Sequence, residues 1–185
     1  QIASFVKKII GDLINKKTLN VGIIACSKVA TKRFIPALIK ANNAKLYMVG
    51  SRNLLKAKKT ANLFKCNNFG NYEDVIKNTN VDIIYISVPI TRRENIFKLA
   101  VKNKKHIFCE NPAFINTKQA LKYIKLFKKN KLMFFECLMY KYHRQHEIVQ
   151  KIINNNQIGK MKIFNSQFTY PYPNSDNIRL KSSLK

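Results

Sequence analysis

The fold is decided by one stretch, Val21-Gly22-Ile23-Ile24-Ala25-Cys26-Ser27-Lys28-Val29-Ala30, in which an apolar β-rich run turns directly into the start of a helical one. From Leu19 to Cys137 the same alternation of apolar and helical runs repeats, a pattern typical of a parallel sheet with covering helices. Right-handed crossovers then give an α/β fold with one doubly wound parallel sheet. Its ligand crevice is expected at the carboxyl ends of the strands.

The predicted elements follow this alternation. Strands are expected at residues 19–25, 44–50, 67–69, 81–88, 105–109 and 132–137, and helices at 28–41, 54–64, 74–77, 94–103, 117–130 and 143–156. An extended stretch over 160–172 follows, with Met161, Ile163 and Phe168 alternating. Because a lone strand leaves its backbone groups without partners, this stretch is expected to join a second sheet or pair with another chain.

Three regions are expected: a helical extension over 1–18, the wound sheet over 19–140 and the start of a second α/β domain over 141–185. The extension carries an apolar stripe at helical spacing, which fits either a docking helix or an upstream remnant. The chain begins at Gln1 and ends in a polar run with no closing element. We therefore expect a fragment of a longer protein, with an incomplete second domain.

The chain of 185 residues carries a formal net charge of +26, but the make-up of that charge argues against nucleic-acid recognition. Only 6 of its 35 basic residues are Arg, and Trp is absent. Arg gives bidentate contacts to bases and phosphates, whereas Lys acts as a point charge. Lys, Asn and Ile, which A- and T-rich codons encode, are abundant along the whole sequence. We expect solvated helix faces with loose attraction to polyanions, and no specific nucleic-acid partner.

The four cysteines, Cys26, Cys66, Cys109 and Cys137, are widely spaced and form no Cys-x-x-Cys pair. This spacing predicts buried reduced thiols in a cytoplasmic protein and no metal site. The longest apolar stretch, 81–90, contains Asp82 and is half as long as a membrane span requires. No membrane association is expected.

The turn after the first strand has the size pattern of a dinucleotide-binding turn without its glycines. Such a turn needs small residues at three positions, which are occupied here by Ala25, Ser27 and Ala30. If the first position requires a positive φ, Ala costs about 1 kcal/mol there. On this motif alone, a dinucleotide site and an ordinary strand-turn-helix explain the sequence equally well.

The second strand ends in Val49-Gly50-Ser51-Arg52, near the place where an acidic residue holds the adenosine ribose of NAD. No carboxylate occurs between residues 44 and 59. Ser51, Arg52 and Lys56 offer a hydroxyl and two cations instead, which suits a ribose 2′-phosphate. A polar helix start is the structural alternative for this segment.

A series of motifs continues in order along the chain: Val-Gly-Ile-Ile-Ala-Cys-Ser-Lys-Val-Ala (21–30), Val-Gly-Ser-Arg (49–52), Asn-Tyr-Glu-Asp (71–74), Val-Asp-Ile-Ile-Tyr-Ile-Ser-Val-Pro (81–89), Lys-Lys-His-Ile-Phe-Cys-Glu-Asn-Pro (104–112), Glu-Cys-Leu-Met-Tyr-Lys-Tyr-His (136–143) and Ile-Gly-Lys (158–160). Together they resemble the Gfo/Idh/MocA family of NAD(P)-dependent oxidoreductases. Segments 167–171 and 176–179 are similar to its sugar-ketoreductase branch.

The resemblance implies a Rossmann domain, a second α/β domain that lines the substrate pocket and can mediate homo-oligomers, and hydride transfer between nicotinamide and a sugar or nucleotide-sugar carbon. NADP is the expected cofactor, with NAD as the alternative. Tyr140 and His143 would border the pocket. Carried over by motif, the expected cofactor-binding residues are Ala25, Cys26, Ser27, Lys28, Val29 and Ala30 at the pyrophosphate, Ser51, Arg52 and Lys56 at the adenosine phosphate, and Val88, Pro89, Glu110 and Pro112 at the nicotinamide ribose.

The sequence departs from the family where the chemistry would occur. The lysine of the family's Glu-Lys-Pro motif is replaced by Asn111, whose amide cannot exchange a proton near neutral pH. Ile90 and Arg93 stand where the family often has Asn and His. The glycine-rich segments of the second domain are missing from the 185 residues.

Two other residues could take over from the missing lysine. Lys141 follows the last strand of the wound sheet, and His143 can titrate near neutral pH. Lys104 and Lys105 are expected at the opposite end of their strand. We therefore expect an impaired oxidoreductase, and the alternative is a non-catalytic dinucleotide-binding or basic polyanion-binding module.

Overall fold

The computed structural model describes residues 18–169. The predicted apolar stripe before residue 18 and the motif over 176–179 lie outside the described residues. The chain divides into two compact units, Gln1–Leu138 and Met139–Lys185, which are treated separately. The predicted domain limits at residues 18 and 140 stay predictions.

The first unit is built on one six-stranded sheet in which every neighbouring pair of strands is parallel. The strand order is β3-β2-β1-β4-β5-β6. Strands β2 and β3 therefore lie on one side of β1, and strands β4, β5 and β6 lie on the other side. This confirms the predicted doubly wound parallel sheet. The strands are β1 Leu19–Ile24, β2 Ala44–Gly50, β3 Asn68–Gly70, β4 Ile83–Ile86, β5 His106–Glu110 and β6 Phe134–Cys137.

A helix connects each strand of the sheet to the next strand along the chain. Two short 3₁₀ turns, Ile90–Arg92 and Met139–Tyr142, were not expected from the sequence. Strand β4 is shorter than the predicted 81–88, and strands β5 and β6 begin one and two residues later than predicted. The α-helices of the first unit are α1 Ile35–Ile39, α2 Leu54–Leu63, α3 Tyr72–Lys77, α4 Glu94–Lys102 and α5 Thr117–Lys129.

The helix predicted over 28–41 is not uniform, which corrects the sequence interpretation. Residues Ala30–Phe34 form a wide π-helical turn, closed by a bond from the Ile35 N–H to the Ala30 carbonyl, before α1 begins. Pro36 follows at the start of α1 and has no N–H to donate to the preceding turn. The wide turn accommodates the hydrogen bond that Pro36 cannot donate. In this arrangement Phe34 lies in the core, with only 4% of its surface exposed.

Asparagine starts three of the helices. The side chains of Asn53, Asn71 and Asn116 accept backbone N–H groups from the first turns of α2, α3 and α5. At α3 the cap is reciprocal, because the Asp74 carboxylate in turn accepts the Asn71 N–H at 2.7 Å. Such caps contribute about 1 kcal/mol each, so the abundant Asn residues have a structural use here.

Helix α3 packs so closely on the sheet that two glycines of the strands leave no room for a side chain. A Cβ atom added to Gly22 would lie 2.4 Å from Val75 Cγ1, and one added to Gly50 would lie 2.8 Å from Val75 Cγ2. Both glycines therefore serve close packing, and Val75 is fully buried between them. This contact fixes α3 beneath β1 and β2 and helps to shape the carboxyl ends of both strands.

The second unit contains helix α6, Arg144–Asn154, which matches the predicted helix over 143–156. Residues 161–169 form no strand, although their alternation predicted one. Within this described segment no neighbouring strand supplies the hydrogen bonds that a strand requires. None of the helices in residues 18–169 combines the length and apolarity needed to cross a membrane.

Candidate functional site

In the turn after β1, an alanine adopts a backbone conformation that is usually found for glycine. Ala25 has a φ of 80°, in the left-handed region that favours glycine. The conditional prediction for this residue is therefore met, and the Ala25 methyl group costs about 1 kcal/mol relative to glycine. The Ala25 N–H donates to the Gly50 carbonyl at 3.1 Å, so the turn begins at the end of β2 as well as of β1.

The turn leaves a group of backbone N–H donors without protein acceptors. Within residues 18–169, no acceptor lies against the N–H groups of residues 26–29. The next N–H, that of Ala30, is capped by the Ser27 hydroxyl at 3.1 Å, and the Thr31 N–H donates to the Ser27 carbonyl at 3.0 Å. Unpaired N–H groups at the start of a helix form a binding site for an anion such as phosphate.

Two serine hydroxyls join this turn to the end of β4. The Ser27 hydroxyl donates to Ser87 Oγ at 2.8 Å, and the Ser87 hydroxyl lies 3.2 Å from the Ala25 carbonyl. Sequence analysis did not assign Ser87 to the site, because only the fold brings residues 27 and 87 together. The pair fixes the gap between β1 and β4, where the strand order reverses.

Cys26 and Lys28 point in different directions from the turn. The Cys26 side chain is buried, with Sγ 3.8 Å from the Gly50 carbonyl and 3.9 Å from the Lys56 carbonyl. Lys28 is exposed. Cys26 therefore packs the turn against β2 and α2, and only its backbone N–H is available to an anion.

The predicted adenosine phosphate residues lie together after β2. Arg52 and Lys56 are exposed, while Ser51 is buried and its hydroxyl oxygen accepts the Asn53 N–H at 3.2 Å. Burial raises the pKa of the Tyr72 phenol, and the positive charge of the nearby Arg52 guanidinium opposes this rise. Tyr72 could not be predicted as a neighbour of Arg52, because the two residues follow different strands.

Arg93 is the main residue that sequence analysis missed. It stands where the family pattern differed, and its side chain is 5% exposed. Its Nε donates to the Val88 carbonyl at 2.8 Å, and its Nη1 donates to the carbonyls of Glu110 and Pro112. One guanidinium therefore joins three of the four residues predicted on the nicotinamide side, Val88, Glu110 and Pro112.

Asn111 faces a carboxylate. Its Nδ2 donates to Glu136 Oε1 at 3.1 Å, and the Ala113 N–H donates to the same oxygen at 2.7 Å. Asn111 itself is exposed, and its peptide bond to Pro112 is cis. Asn111 thus satisfies the Glu136 carboxylate at the position where the family motif has a lysine.

The Glu110 carboxylate is engaged with the core. The Tyr85 hydroxyl donates to Glu110 Oε1 at 2.6 Å, and the Phe34 ring stacks on Tyr85 at a centroid distance of 3.7 Å. Burial and the adjacent carboxylate both raise the pKa of Tyr85. Burial also raises the pKa of Cys109 to about 12, so this thiol stays protonated near neutral pH.

The remaining predicted residues lie away from these strand ends or in the second unit. Lys105 donates to the carbonyls of Asn78 and Val81, both at 2.6 Å, which confirms its predicted position at the amino end of β5. In the second unit, Tyr140 and Lys141 are exposed, and His143 Nδ1 accepts the Gln145 N–H at 3.2 Å as the N-cap of α6.

The four cysteines are buried and unpaired, as their spacing predicted. Burial raises the pKa of Cys66 and Cys137 as well. In the part of the chain that the structure describes, no group of three or more His, Cys, Asp or Glu side chains could hold a metal ion.

A six-stranded parallel sheet in this order, with unpaired backbone N–H groups in the turn after its first strand, defines a protein with a dinucleotide-binding Rossmann fold. A family model described as an oxidoreductase family with an NAD-binding Rossmann fold matches residues 19–137. The chain belongs to this family, Gfo/Idh/MocA, as its motifs indicated.

Curated relatives include two enzymes named dTDP-3,4-didehydro-2,6-dideoxy-alpha-D-glucose 3-reductase. The enzyme from Saccharopolyspora spinosa is 22% identical over 91% of this chain and 51% of its own length. The enzyme from Actinomadura kijaniata is 25% identical over 92% of this chain and 51% of its own length. The chain thus spans about half the length of these relatives.

Solved structures show the same fold. A mutant of a 3-ketoreductase from Actinomadura kijaniata, in complex with TDP-benzene and NADP, superposes with a TM-score of 0.72 at 24% identity, covering 77% of this chain and 44% of that one. An apo scyllo-inositol dehydrogenase from Lactobacillus casei gives a TM-score of 0.66 at 16% identity, covering 79% of this chain and 44% of that one.

Proposed function

We propose that this chain binds NADP(H) at the carboxyl edge of its sheet, with the pyrophosphate at the turn after β1. The observation that carries this proposal is the set of unpaired N–H groups over residues 26–29, which follows directly from the left-handed Ala25. The N-terminal end of a helix attracts phosphate through these donors and through its dipole. The half of the edge formed by β1, β2 and β3 is here called the first half, and that formed by β4, β5 and β6 the second half.

The preference for NADP over NAD rests on charge in the first half. Arg52 and Lys56 are exposed cations at the end of β2, and no carboxylate occurs over residues 44–59. A guanidinium can bind a phosphate through two parallel hydrogen bonds, whereas the ribose of NAD is held best by an acidic residue. Tyr72 lies near Arg52, and the guanidinium charge acts to lower the pKa of its phenol.

The second half would hold the nicotinamide. A bound nicotinamide cofactor supplies a hydride at C4 of its ring. Val88, Pro89, Glu110 and Pro112 would flank its ribose, and the hydrogen bonds of Arg93 keep the backbone carbonyls of residues 88, 110 and 112 in fixed positions. These residues bind and orient, and none of them transfers a proton in this proposal.

The substrate class comes from the relatives. Enzymes that are 22% and 25% identical carry the name of a dTDP-sugar 3-reductase, so a sugar or nucleotide-linked sugar is the proposed substrate. Proton transfer to its oxygen is the step that Asn111 cannot supply, because an amide does not act as an acid or base near neutral pH, and Lys141 and His143 are the other candidates for this step. The loss of such a group lowers a rate by about 10²–10⁴.

A second candidate, a non-catalytic dinucleotide-binding module, is favoured by the contact between Asn111 and Glu136. The amide satisfies the carboxylate without any bound substrate, at 3.1 Å. In this version the first half binds cofactor and the second half has only a structural role. A polyanion-binding role receives less support, because the lysines are spread over the chain. The unpaired thiols suit a reducing compartment in either version.

Titration of the purified chain with NADPH and NADH tests the proposal. NADPH is expected to bind about tenfold or more tightly than NADH, and Arg52→Gln with Lys56→Gln should reduce that preference toward one. Lys128→Gln with Lys129→Gln, in the last turn of α5, removes two exposed positive charges at the opposite end of the sheet and should leave the preference unchanged. Absence of binding of both cofactors at about 1 mM would overturn the proposal.

A catalytic assay separates the two versions. Reduction of nucleotide-linked keto sugars is expected to be very slow in the unmodified chain. Rapid sugar-dependent NADPH oxidation would contradict the proposed role of Asn111. Binding that falls steeply with added salt and is equal for NADPH and any short polyanion would favour the polyanion-binding reading instead.

A further inference from the structure

Arg93 joins the ends of two neighbouring strands through main-chain oxygens. The Val88 carbonyl follows β4, and the carbonyls of Glu110 and Pro112 follow or end β5. The side chain that makes these bonds is 5% exposed. A guanidinium is planar and presents its donors at fixed angles, so three carbonyls bound to it have little freedom to move relative to each other.

Burying a charge has a cost, and the position of this charge indicates what it achieves. Taking a guanidinium out of water disfavours folding unless its donors are well satisfied. Arg93 satisfies its donors with carbonyls at the carboxyl edge of the sheet, where the loops after β4 and β5 lie side by side. The arrangement therefore fixes loop positions at the place where the proposed site lies.

The Glu136 carboxylate holds the same segment from the other side. Its Oε1 accepts the Ala113 N–H at 2.7 Å and the Asn111 amide at 3.1 Å. Glu136 belongs to β6, so residues 110–113 are fastened to β4 by Arg93 and to β6 by Glu136. The two contacts together keep the segment from shifting along the edge.

Lys105 provides a matched comparison within the same unit. It is also 5% exposed and also donates to main-chain carbonyls, those of Asn78 and Val81. Its contacts lie at the amino end of the sheet, away from the proposed site. A substitution at Lys105 therefore removes a buried cation and its carbonyl contacts without touching the carboxyl edge.

We infer that Arg93 is a positioning residue that holds the loops after β4 and β5 in the arrangement required by the nicotinamide half of the cofactor. The inference rests on the proposed function and adds a residue to it. Arg93 acts through the carbonyls of residues 88, 110 and 112. Loss of the Arg93 side chain is therefore expected to weaken binding of the nicotinamide half of the ligand and to leave binding of the adenosine half unchanged.

The test compares two ligands on four proteins: NADPH and adenosine 2′,5′-bisphosphate, which lacks the nicotinamide half, on the unmodified chain, Arg93→Gln, Arg93→Lys and Lys105→Gln. In Arg93→Gln the affinity for NADPH should fall about tenfold, while that for the bisphosphate changes less than about twofold. The change in NADPH fluorescence that is expected on binding to the unmodified chain should also be lost in Arg93→Gln. Arg93→Lys should give an intermediate loss for NADPH, because lysine keeps the charge but lacks the planar fork.

Lys105→Gln is expected to lower the unfolding temperature but to leave the ratio of the two affinities unchanged. Equal weakening of both ligands in Arg93→Gln, or no change in either, would overturn the inference. If Arg93→Gln does not fold, Arg93→Lys decides between the same outcomes. Failure of the unmodified chain to bind either ligand is a different result, which defeats the proposed function itself.

Discussion

The first and second halves of the carboxyl edge depend on different parts of the polypeptide. In the first half the backbone makes the site, through the turn at Ala25 and the N–H groups of residues 26–29. In the second half the side chains of Arg93, Asn111 and Glu136 form the contacts. In a site made by the backbone, replacing glycine by alanine costs about 1 kcal/mol of stability. In a site that needs a side chain to exchange a proton, an amide such as that of Asn111 cannot replace the lysine.

The largest effect is expected from restoring the missing side chain in the second half. Asn111→Lys places an ammonium beside Glu136 and should raise the rate of keto-sugar-dependent NADPH oxidation by about 10² or more. Asn111→Gln lengthens the side chain without adding an acid or base and should leave the rate unchanged. A rate in Asn111→Lys equal to that of the unmodified chain, with NADPH still bound, would show that the second half lacks more than this lysine.

The next effect tests the packing beneath the first half. Gly22→Ala directs a methyl group to within 2.4 Å of Val75 Cγ1 and should lower the free energy of unfolding by about 1–3 kcal/mol. Urea unfolding measures this loss. Gly22→Ala combined with Val75→Ala should lose less than the sum of the two single changes, because Val75→Ala removes the clashing atom. Strict additivity would mean that the clash is relieved in some other way.

A smaller effect of opposite sign is expected in the turn itself. Ala25→Gly should stabilise the chain by about 0.5–1 kcal/mol, because glycine relieves the left-handed backbone but adds freedom to the unfolded chain. Ala57→Gly, in α2, is the matched control and should destabilise by about 1 kcal/mol. Equal destabilisation by both changes in urea unfolding would contradict the left-handed conformation of Ala25.

The smallest effect concerns an exposed carboxylate on the second half's side of the sheet. Hydrogen bonds from Tyr123 at 2.8 Å and Lys122 at 3.2 Å lower the pKa of Glu94 to about 2. A lowered pKa contributes stability above the ordinary value of 4.5, and this contribution is lost as the pH falls from 4.5 toward 2. The stability difference between the unmodified chain and Glu94→Gln should therefore shrink across this window. A constant difference would contradict it.

The sheet could be predicted from the sequence because its strands are marked by local composition. Residues 81–88 are mostly apolar and β-branched, so their own composition predicts a strand. Asn71 caps α3 through contacts within residues 71–74, so the start of this helix also depends on local sequence alone. The positive φ of Ala25 could also be anticipated, since the turn pattern requires a small residue there. Element boundaries shifted by one or two residues, because the ends of elements depend on hydrogen bonds to other strands.

The contacts of the second half could not be predicted in the same way. Arg93 binds carbonyls, which every residue carries, so its partners leave no trace in the sequence. Glu136 and Asn111 are 25 residues apart and meet only because β5 and β6 are neighbours. One signal was present: Arg is scarce in this chain, and an Arg where the family often has His invited a structural explanation. The site residues proposed from the family motifs stay predictions until ligand binding is measured.

The close approach of α3 to the sheet limits how far the sequence can drift. The turn after β1, residues 25–30, contains no glycine and shows that small residues can replace it there. Gly22 and Gly50 are different, because Val75 already occupies the volume that any side chain there would need. Changes at these two positions would have to wait for a smaller residue at 75. The order in which such substitutions accumulate is therefore constrained by steric exclusion between a helix and two strands.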